Sequence, residues 1–257
     1  MALNGGKTLC VFGVKGGIGK SVLTLNLAGA ASNSKIKTLI IDMDIYGGSI
    51  AFSLNKEVKR TIYNFVDDYN NNRYEDLNDY ITKYNEYIDF IACPKDPRKS
   101  NKIDSKYLDI LINKAKFNYD LILIDTNHIL NEINLNILDK SDDILFVLSN
   151  DILNIKNMRN LIAVFQDLEK NNYKILLNNS YRNDKNDYDL HAIRDIIKDN
   201  VDYTISDKYY IKNMSEYIKY GEIITLNKKY VGTRDYKVLD LIIENELGDI
   251  DGKENSK

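Results

Sequence analysis

Tryptophan is missing from this 257-residue chain, and proline and cysteine occur only twice each. Cys10 and Cys93 each sit in a short apolar run, without the C-x-x-C spacing of redox or zinc sites. Both therefore read as buried thiols. No run approaches the roughly 18 apolar residues that a membrane-crossing helix needs, and no charged-then-apolar-then-small pattern opens the chain. A cytoplasmic protein is the expectation. A dense Lys/Arg run is also lacking: 35 basic against 38 acidic residues give a net charge of −3, which supplies no overall field for nucleic acid. A local basic patch stays open. The shortage of Trp and Pro beside plentiful Lys, Asn, Ile, Asp and Tyr reflects drift toward AT-rich codons, so the tyrosines receive no functional weight.

With 44% apolar and 28% charged residues, the chain has the composition of a globular protein with a well-filled core. Its length suits one sizeable α/β domain or two small ones. No composition shift marks a boundary, so one domain over residues 1–247 is expected, with Gly248 to Lys257 as a frayed tail. Short apolar runs alternate with longer amphipathic stretches, the pattern of repeated βαβ units and a mainly parallel sheet. Strands are predicted at Thr8 to Val14, Thr38 to Asp42, Ile88 to Ala92, Leu121 to Asp125, Ile144 to Leu148, Lys174 to Leu177 and Asp202 to Ile205. Helices are predicted at Ser21 to Ala31, Ser105 to Lys116, Ile155 to Glu169, Tyr188 to Lys198 and Thr233 to Glu246. Asp67 to Asn72 and Arg182 to Asp187 read as exposed loops or helix ends. The implied fold is a doubly wound sheet with helices on both faces.

The first strand runs into Val14-Lys15-Gly16-Gly17-Ile18-Gly19-Lys20-Ser21, and a helix pattern begins there. Glycines let backbone N–H groups approach phosphate oxygens, and the helix N-terminus adds partial positive charge. Lys20 supplies a full charge to phosphate, and the Ser21 hydroxyl suits Mg²⁺. A plain glycine turn would explain neither residue. The second strand ends in Asp42-Met43-Asp44, two carboxylates at the edge where open α/β sheets bind ligands. Asp44 reads as the start of the loop, turned toward the phosphates; capping of the next turn by either aspartate is the alternative. The apolar run Leu121 to Ile124 leads to Asp125, the form of a Walker B strand. Leu176-Leu177-Asn178-Asn179 ends a further strand at the same edge. Asn178 is either a turn residue or a nucleotide contact.

The strict phosphate-loop pattern asks for glycine at position 14, where this chain has Val14; what fits is the deviant form K-G-G-x-G-K-[ST]. With that motif, the Asp42-Met43-Asp44 segment and the Asp125 strand, the chain resembles the ParA/MinD family of P-loop ATPases over nearly its whole length. The resemblance implies Mg-ATP bound by Lys15, Gly16, Gly17, Ile18, Gly19, Lys20, Ser21 and Val22, with Asn178 reading adenine. It assigns the metal to Ser21, Asp42 and Asp125, and the attacking water to Asp44. Lys15 matches the family's signature lysine, which acts on the nucleotide of the partner in a face-to-face homodimer. Where the family commonly has proline or a small-residue turn after the Walker B aspartate, this chain has Thr126-Asn127-His128. His128 reads as a surface loop residue, with a position near the nucleotide as the alternative.

Within that family the CpaE/TadZ branch, associated with pilus assembly, is most similar, on Ile91 to Pro97, Asp125 through Asp142-Asp143-Ile144-Leu145, and Asp151 to Arg159. Proteins of that branch often carry a receiver-like domain ahead of the ATPase, whereas only Met1 to Gly6 precede the first strand here; a short member or an excised ATPase domain is expected. The resemblance implies protein partners in a pilus or polar assembly, with recruitment through them. A MinD-like protein would carry a basic amphipathic C-terminal helix, but Asp240, Glu244 and Glu246 dominate the polar positions of Tyr236 to Leu247, which argues against a direct membrane anchor. A ParA-like DNA-partition protein would need a cationic surface. A tyrosine kinase of related fold would need a terminal tyrosine cluster, absent here, and a noncatalytic ATP-binding scaffold is the remaining rival.

Overall fold

Alternation along the first strand, Lys-Thr-Leu-Cys-Val-Phe, sends successive side chains to opposite faces, and both sets are apolar. Leu9 and Val11 enter one core and Cys10 and Phe12 another, so the strand is covered on both sides. The computed structural model describes residues 5–179, 188–206 and 214–247 of the 257. In chain order its strands are β1 Lys7–Phe12, β2 Thr38–Met43, β3 Thr82–Lys83, β4 Ile88–Ile91, β5 Leu121–Thr126, β6 Asp143–Leu148, β7 Tyr173–Asn178 and β8 Tyr203–Ile205. The helices are α1 Lys20–Asn33, α2 Ile50–Ser53, α3 Ile62–Asn70, α4 Pro97–Ser100, α5 Lys106–Ala115, α6 Glu132–Lys140, α7 Ile152–Asp167, α8 Leu190–Ile197, α9 Met214–Tyr220 and α10 Arg234–Leu247.

The eight strands form one sheet in the order β3-β4-β2-β5-β1-β6-β7-β8, parallel throughout except for the β3–β4 pair. Edge strand β3 is two residues long and ends in an exposed lysine, which blunts edge pairing. Because β1 lies between β5 and β6, the chain leaves it toward one side for β2 and returns to the other for β6. That is the switch point at which doubly wound sheets open a ligand crevice at their carboxyl edge. Helix α1 covers this crevice from the face that holds Leu9 and Val11, and α10 and the 3₁₀ turn Ile224–Leu226 pack outside it. Asn131, Asp151 and Asp189 cap α6, α7 and α8 by accepting from backbone N–H groups in the first turns, at 2.8 to 3.0 Å.

Every predicted strand is present, within two residues at each end. Strand β1 stops at Phe12, short of Val14, because Gly13 leaves the ladder to start the loop. A Cβ there would lie 2.8 Å from the Val147 carbonyl oxygen. The predicted helices are also present, with α7 starting three residues before Ile155. Helices α3 and α6 were not anticipated: each is nine residues with several Asn or Asp, residues of weak helix propensity. Tertiary burial of Ile62, Phe65 and Val66, and of Ile137 and Leu138, outweighs that weakness. The Asp67 to Asn72 stretch is the end of α3 and the turn after it. Arg182 to Asp187 and the Gly248 to Lys257 tail lie outside the described residues. Both cysteines are buried free thiols, and burial pushes both pKa values up. Among the described residues no helix is long and apolar enough to cross a membrane.

One packing detail gives a stability prediction. A Cβ on Gly29 of α1 would lie 2.1 Å from Thr225 Oγ1 and 2.7 Å from Ile223 Cγ2. Thr225 is fixed there: its hydroxyl donates to the Asn26 carbonyl at 2.9 Å, and its N–H donates to Asn26 Oδ1 at 3.1 Å. Gly29→Ala should therefore overpack the seam and cost about 1–3 kcal/mol despite alanine's better helix propensity. Calorimetry would show a fall in Tm of about 2–4 °C per kcal/mol. An unchanged or higher Tm would mean that the seam relaxes freely.

Candidate functional site

Residues 13 to 19 form the turn between β1 and α1, and Gly19 takes φ 90° at the helix N-cap, a left-handed conformation that an L side chain would strain. The Leu23 N–H donates to the Gly19 carbonyl at 2.9 Å, so the helix begins directly behind the loop. Its first residues are Lys20 and Ser21, whose free helix-end N–H groups suit an anion. Lys20 is 8% exposed, and its ammonium donates to the Lys15 carbonyl at 3.2 Å. Burial depresses its pKa, while Asp125 and Asp44 pull it back up. The cation is thus stored in the loop close to its carboxylates.

Asp42 and Asp125 are register partners on neighbouring parallel strands β2 and β5 and share the α1 face of the sheet. Both are essentially inaccessible to solvent. Asp125 Oδ1 accepts from the Thr24 hydroxyl at 3.2 Å, and Thr24 also donates to the Lys20 carbonyl at 3.1 Å. Asp125 Oδ2 is buried and accepts no hydrogen bond of good geometry from any described residue. Burial raises the Asp125 carboxyl to about 6, against opposing effects of the Ser21 hydroxyl and the Lys20 charge. Burial, then the charge of Asp125, raises Asp42 well above the ordinary carboxylate range.

Asp42 also caps the following turn, accepting from the N–H groups of Asp44 at 3.2 Å and Ile50 at 3.3 Å. Asp44 lies just past β2, half-buried, and accepts from the Gly47 N–H at 3.2 Å. Each aspartate therefore shapes the loop, and Asp44 also acts on the Lys20 charge. Lys15 has a partner within its own chain: its ammonium pairs with Asp151 Oδ1 at 3.2 Å. That ion pair ties Lys15 to the N-cap residue of α7. Asn178 Nδ2 donates to the Ile18 carbonyl at 2.9 Å, bracing the phosphate loop from β7. Val22 stands one turn before Asn26, whose amide its carbonyl accepts at 2.8 Å.

His128 is solvent-exposed but not remote: a Cβ built on Gly16 would lie 3.4 Å from its ring. Thr24 and Asp151 were not singled out from the sequence. Thr24 stands one helical turn after Lys20, and Asp151 opens the helix beside the loop. Neither position belongs to the phosphate-loop pattern. Between α6 and α7 runs an apolar groove of about 640 Å³ lined by Val14, His128, Leu130, Leu135, Val164 and Leu168 among others. Its end at Val14 and His128 adjoins the loop.

The hard oxygens of Ser21, Asp125 and Asp42 suit Mg²⁺, and the unpartnered Asp125 Oδ2 is the atom most in need of a cation or its water. Among the described residues no three His, Cys, Asp or Glu side chains converge to hold a metal unaided.

A doubly wound sheet with this loop at its switch point defines a P-loop nucleotide-binding protein. The profile of the AAA domain family matches residues 6–179, and the chain belongs to that family, in its ParA/MinD group of ATPases. The septum site-determining protein MinD of Helicobacter pylori is 33% identical over 112 residues, which span 44% of this chain and 41% of that relative. In fold, a ParA family ATPase from Chlorobium tepidum is similar at a TM-score of 0.79 and 18% identity, over 92% of this chain and 98% of that one. MinD from Pyrococcus horikoshii, solved with Mg-ADP, is similar at 0.77 and 20% identity, over 98% and 99%.

Proposed function

We propose that the chain is an ATPase that uses Mg-ATP as a dimerisation switch to position a cellular assembly. The observation that carries this reading is the placement of Lys20 and Ser21 at one helix start, against two buried in-register carboxylates and an unpartnered Asp125 oxygen. In this reading backbone N–H groups of residues 16 to 21 cradle the phosphates, and Lys20 leaves the Lys15 carbonyl for phosphate oxygen. Ser21 and Asp125, with Asp42 beside them, hold Mg²⁺, whose chemistry is to neutralise phosphate charge. Asp44, at the start of its loop, orients the attacking water. Asn178 joins the loop to the base.

Lys15 supports the switch. Its ammonium stands on Asp151 and not in its own loop, so it is a cation that a partner's phosphates can draw away. ATP presents a γ-phosphate to that exchange and ADP does not, which gives the two nucleotides different affinities for the dimer. Light scattering should find dimers with ATP and monomers with ADP. Asp44→Ala should slow hydrolysis and accumulate dimer, and Lys15→Ala should weaken dimerisation while leaving much of the monomer's nucleotide binding. One mass in every nucleotide state would reject the switch and favour an ATP-binding scaffold.

For the client, the Ile91 to Pro97 and Asp151 to Arg159 likenesses favour pilus or secretion machinery. The 33% identity to a septum site-determining protein favours a second reading, placement of a division site. Co-purification from cells separates them, by recovery of pilus-assembly proteins or of division proteins.

A further inference from the structure

The segment that follows β4 carries four exposed cations in eight residues, Lys95, Arg98, Lys99 and Lys102. The Ile62 N–H donates to the Ala92 carbonyl at 2.9 Å, which brings the start of α3 to the end of β4. Lys99 lies over the Tyr63 ring of α3, 5.0 Å from its centroid, and exposed Lys59 precedes that helix. The cations thus share the carboxyl edge on the β4 side of the sheet. Arg98 is 90% exposed yet oriented, because Asp96 accepts from its Nε at 3.0 Å and its Nη2 at 2.9 Å. Its remaining N–H groups stay at the surface.

Two hydrogen bonds tie this segment to the loop after β2. Buried Ser100 donates its hydroxyl to the Ile45 carbonyl, and the half-exposed Tyr46 hydroxyl donates to Asn101 Oδ1 at 3.4 Å. Ile45 directly follows Asp44. We propose that Lys95, Arg98, Lys99 and Lys102, with Tyr46 at their margin, form a docking surface for an acidic segment of a partner protein, tied to the loop that carries Asp44.

Charge complementarity selects an acidic partner. Protein is favoured over nucleic acid because Asp96 and Asp104 interrupt the strip, each paired with a neighbouring cation. A phosphate backbone, one charge per about 1.7 Å of duplex, would have to cross them. Arg and Tyr are also the residues that anchor protein interfaces. A net charge of −3 gives no long-range attraction to a polyanion, so contact has to be local. The effect on Asp44 rests on the proposed ATPase reading; the docking does not.

The test is fluorescence anisotropy with a labelled poly-glutamate peptide on the full chain. Wild type should bind it with an affinity that falls as salt rises. Replacing Lys95, Arg98, Lys99 and Lys102 together by Glu should weaken binding by at least about tenfold, or 1.4 kcal/mol. Lys35→Glu, Lys83→Glu, Lys229→Glu and Lys237→Glu combined change net charge equally at scattered exposed sites, and should retain binding. The milder pair Lys95→Gln/Lys102→Gln keeps the Arg98–Asp96 contact and should show a smaller loss of the same sign if the fourfold variant misfolds. Equal loss in patch and scattered variants, no binding by wild type, or patch-dependent binding that prefers duplex DNA or phosphatidylserine vesicles would overturn the proposal. A parallel titration with fluorescent ATP separates the two readings. A wild-type protein that binds ATP but not the peptide counts against the surface alone, and one that binds the peptide but not ATP counts against the nucleotide site alone.

Discussion

Replacing Lys20 by Ala should lower ATP affinity by roughly 30- to 1000-fold, about 2–4 kcal/mol, the range for removing one partner of a buried charged contact. The loss is large because no other cation replaces it. Within its own loop Lys15 offers only its carbonyl, its ammonium standing at Asp151, and Lys20 is the cation that opposes burial at Asp125. The fold should survive, since α1 is held by the Leu23 to Gly19 hydrogen bond and by apolar residues on nearly every side. The Lys20 carbonyl that Thr24 bonds is backbone and also remains. Calorimetric titration with ATP, beside circular dichroism, reads both quantities. A folded Lys20→Ala protein with wild-type ATP affinity would remove the basis for the whole nucleotide reading.

The sheet was legible in the sequence because strands buried on both faces are runs such as Leu-Ile-Leu-Ile before Asp125, which need no periodicity to be recognised. The phosphate loop was equally legible, since its residue types follow from what phosphate and Mg²⁺ demand. Helices α3 and α6 were hidden because their stability comes from burial of a few side chains and not from propensity. The pairing of Lys15 with Asp151, and of Asn178 with the Ile18 carbonyl, joins residues more than a hundred positions apart, and no local spacing announces it. The cation strip at Lys95 to Lys102 was passed over in the sequence, where Asp96 and Pro97 break it up, and it gained meaning only when Ser100 and Tyr46 tied it to the Asp44 loop.

Asp125→Asn should make the protein more stable and less able to use Mg²⁺, opposite effects with one cause. In the folded chain the Asp125 carboxyl is raised to about 6 from an ordinary 3.8, chiefly by burial, so the folded state holds this proton more tightly than the unfolded state does. A raised acid of this kind contributes its stability below the unfolded pKa and loses it as pH rises through the folded value; here the loss runs from about pH 4 to about 6. Above that window an ionised carboxylate is held beside Asp42, which it raises in turn. Asparagine keeps an oxygen for the Thr24 hydroxyl and removes the buried charge, and the Ser21 hydroxyl can accept from its amide. Stability at pH 7.5 should rise by about 1–3 kcal/mol, a typical trade of function for stability, with a Tm gain of about 2–4 °C per kcal/mol. The decline in wild-type stability between pH 4 and 6 should flatten in the variant. The advantage that Mg²⁺ gives to ATP binding should shrink by about 10- to 100-fold, as for loss of a group that holds a metal through its water. Thermal melts from pH 4 to 8 and ATP titrations with Mg²⁺ or EDTA measure both sides. A variant that is less stable than wild type at pH 7.5, or that responds to Mg²⁺ as wild type does, would show that Asp125 is a structural acid and that the metal lies elsewhere.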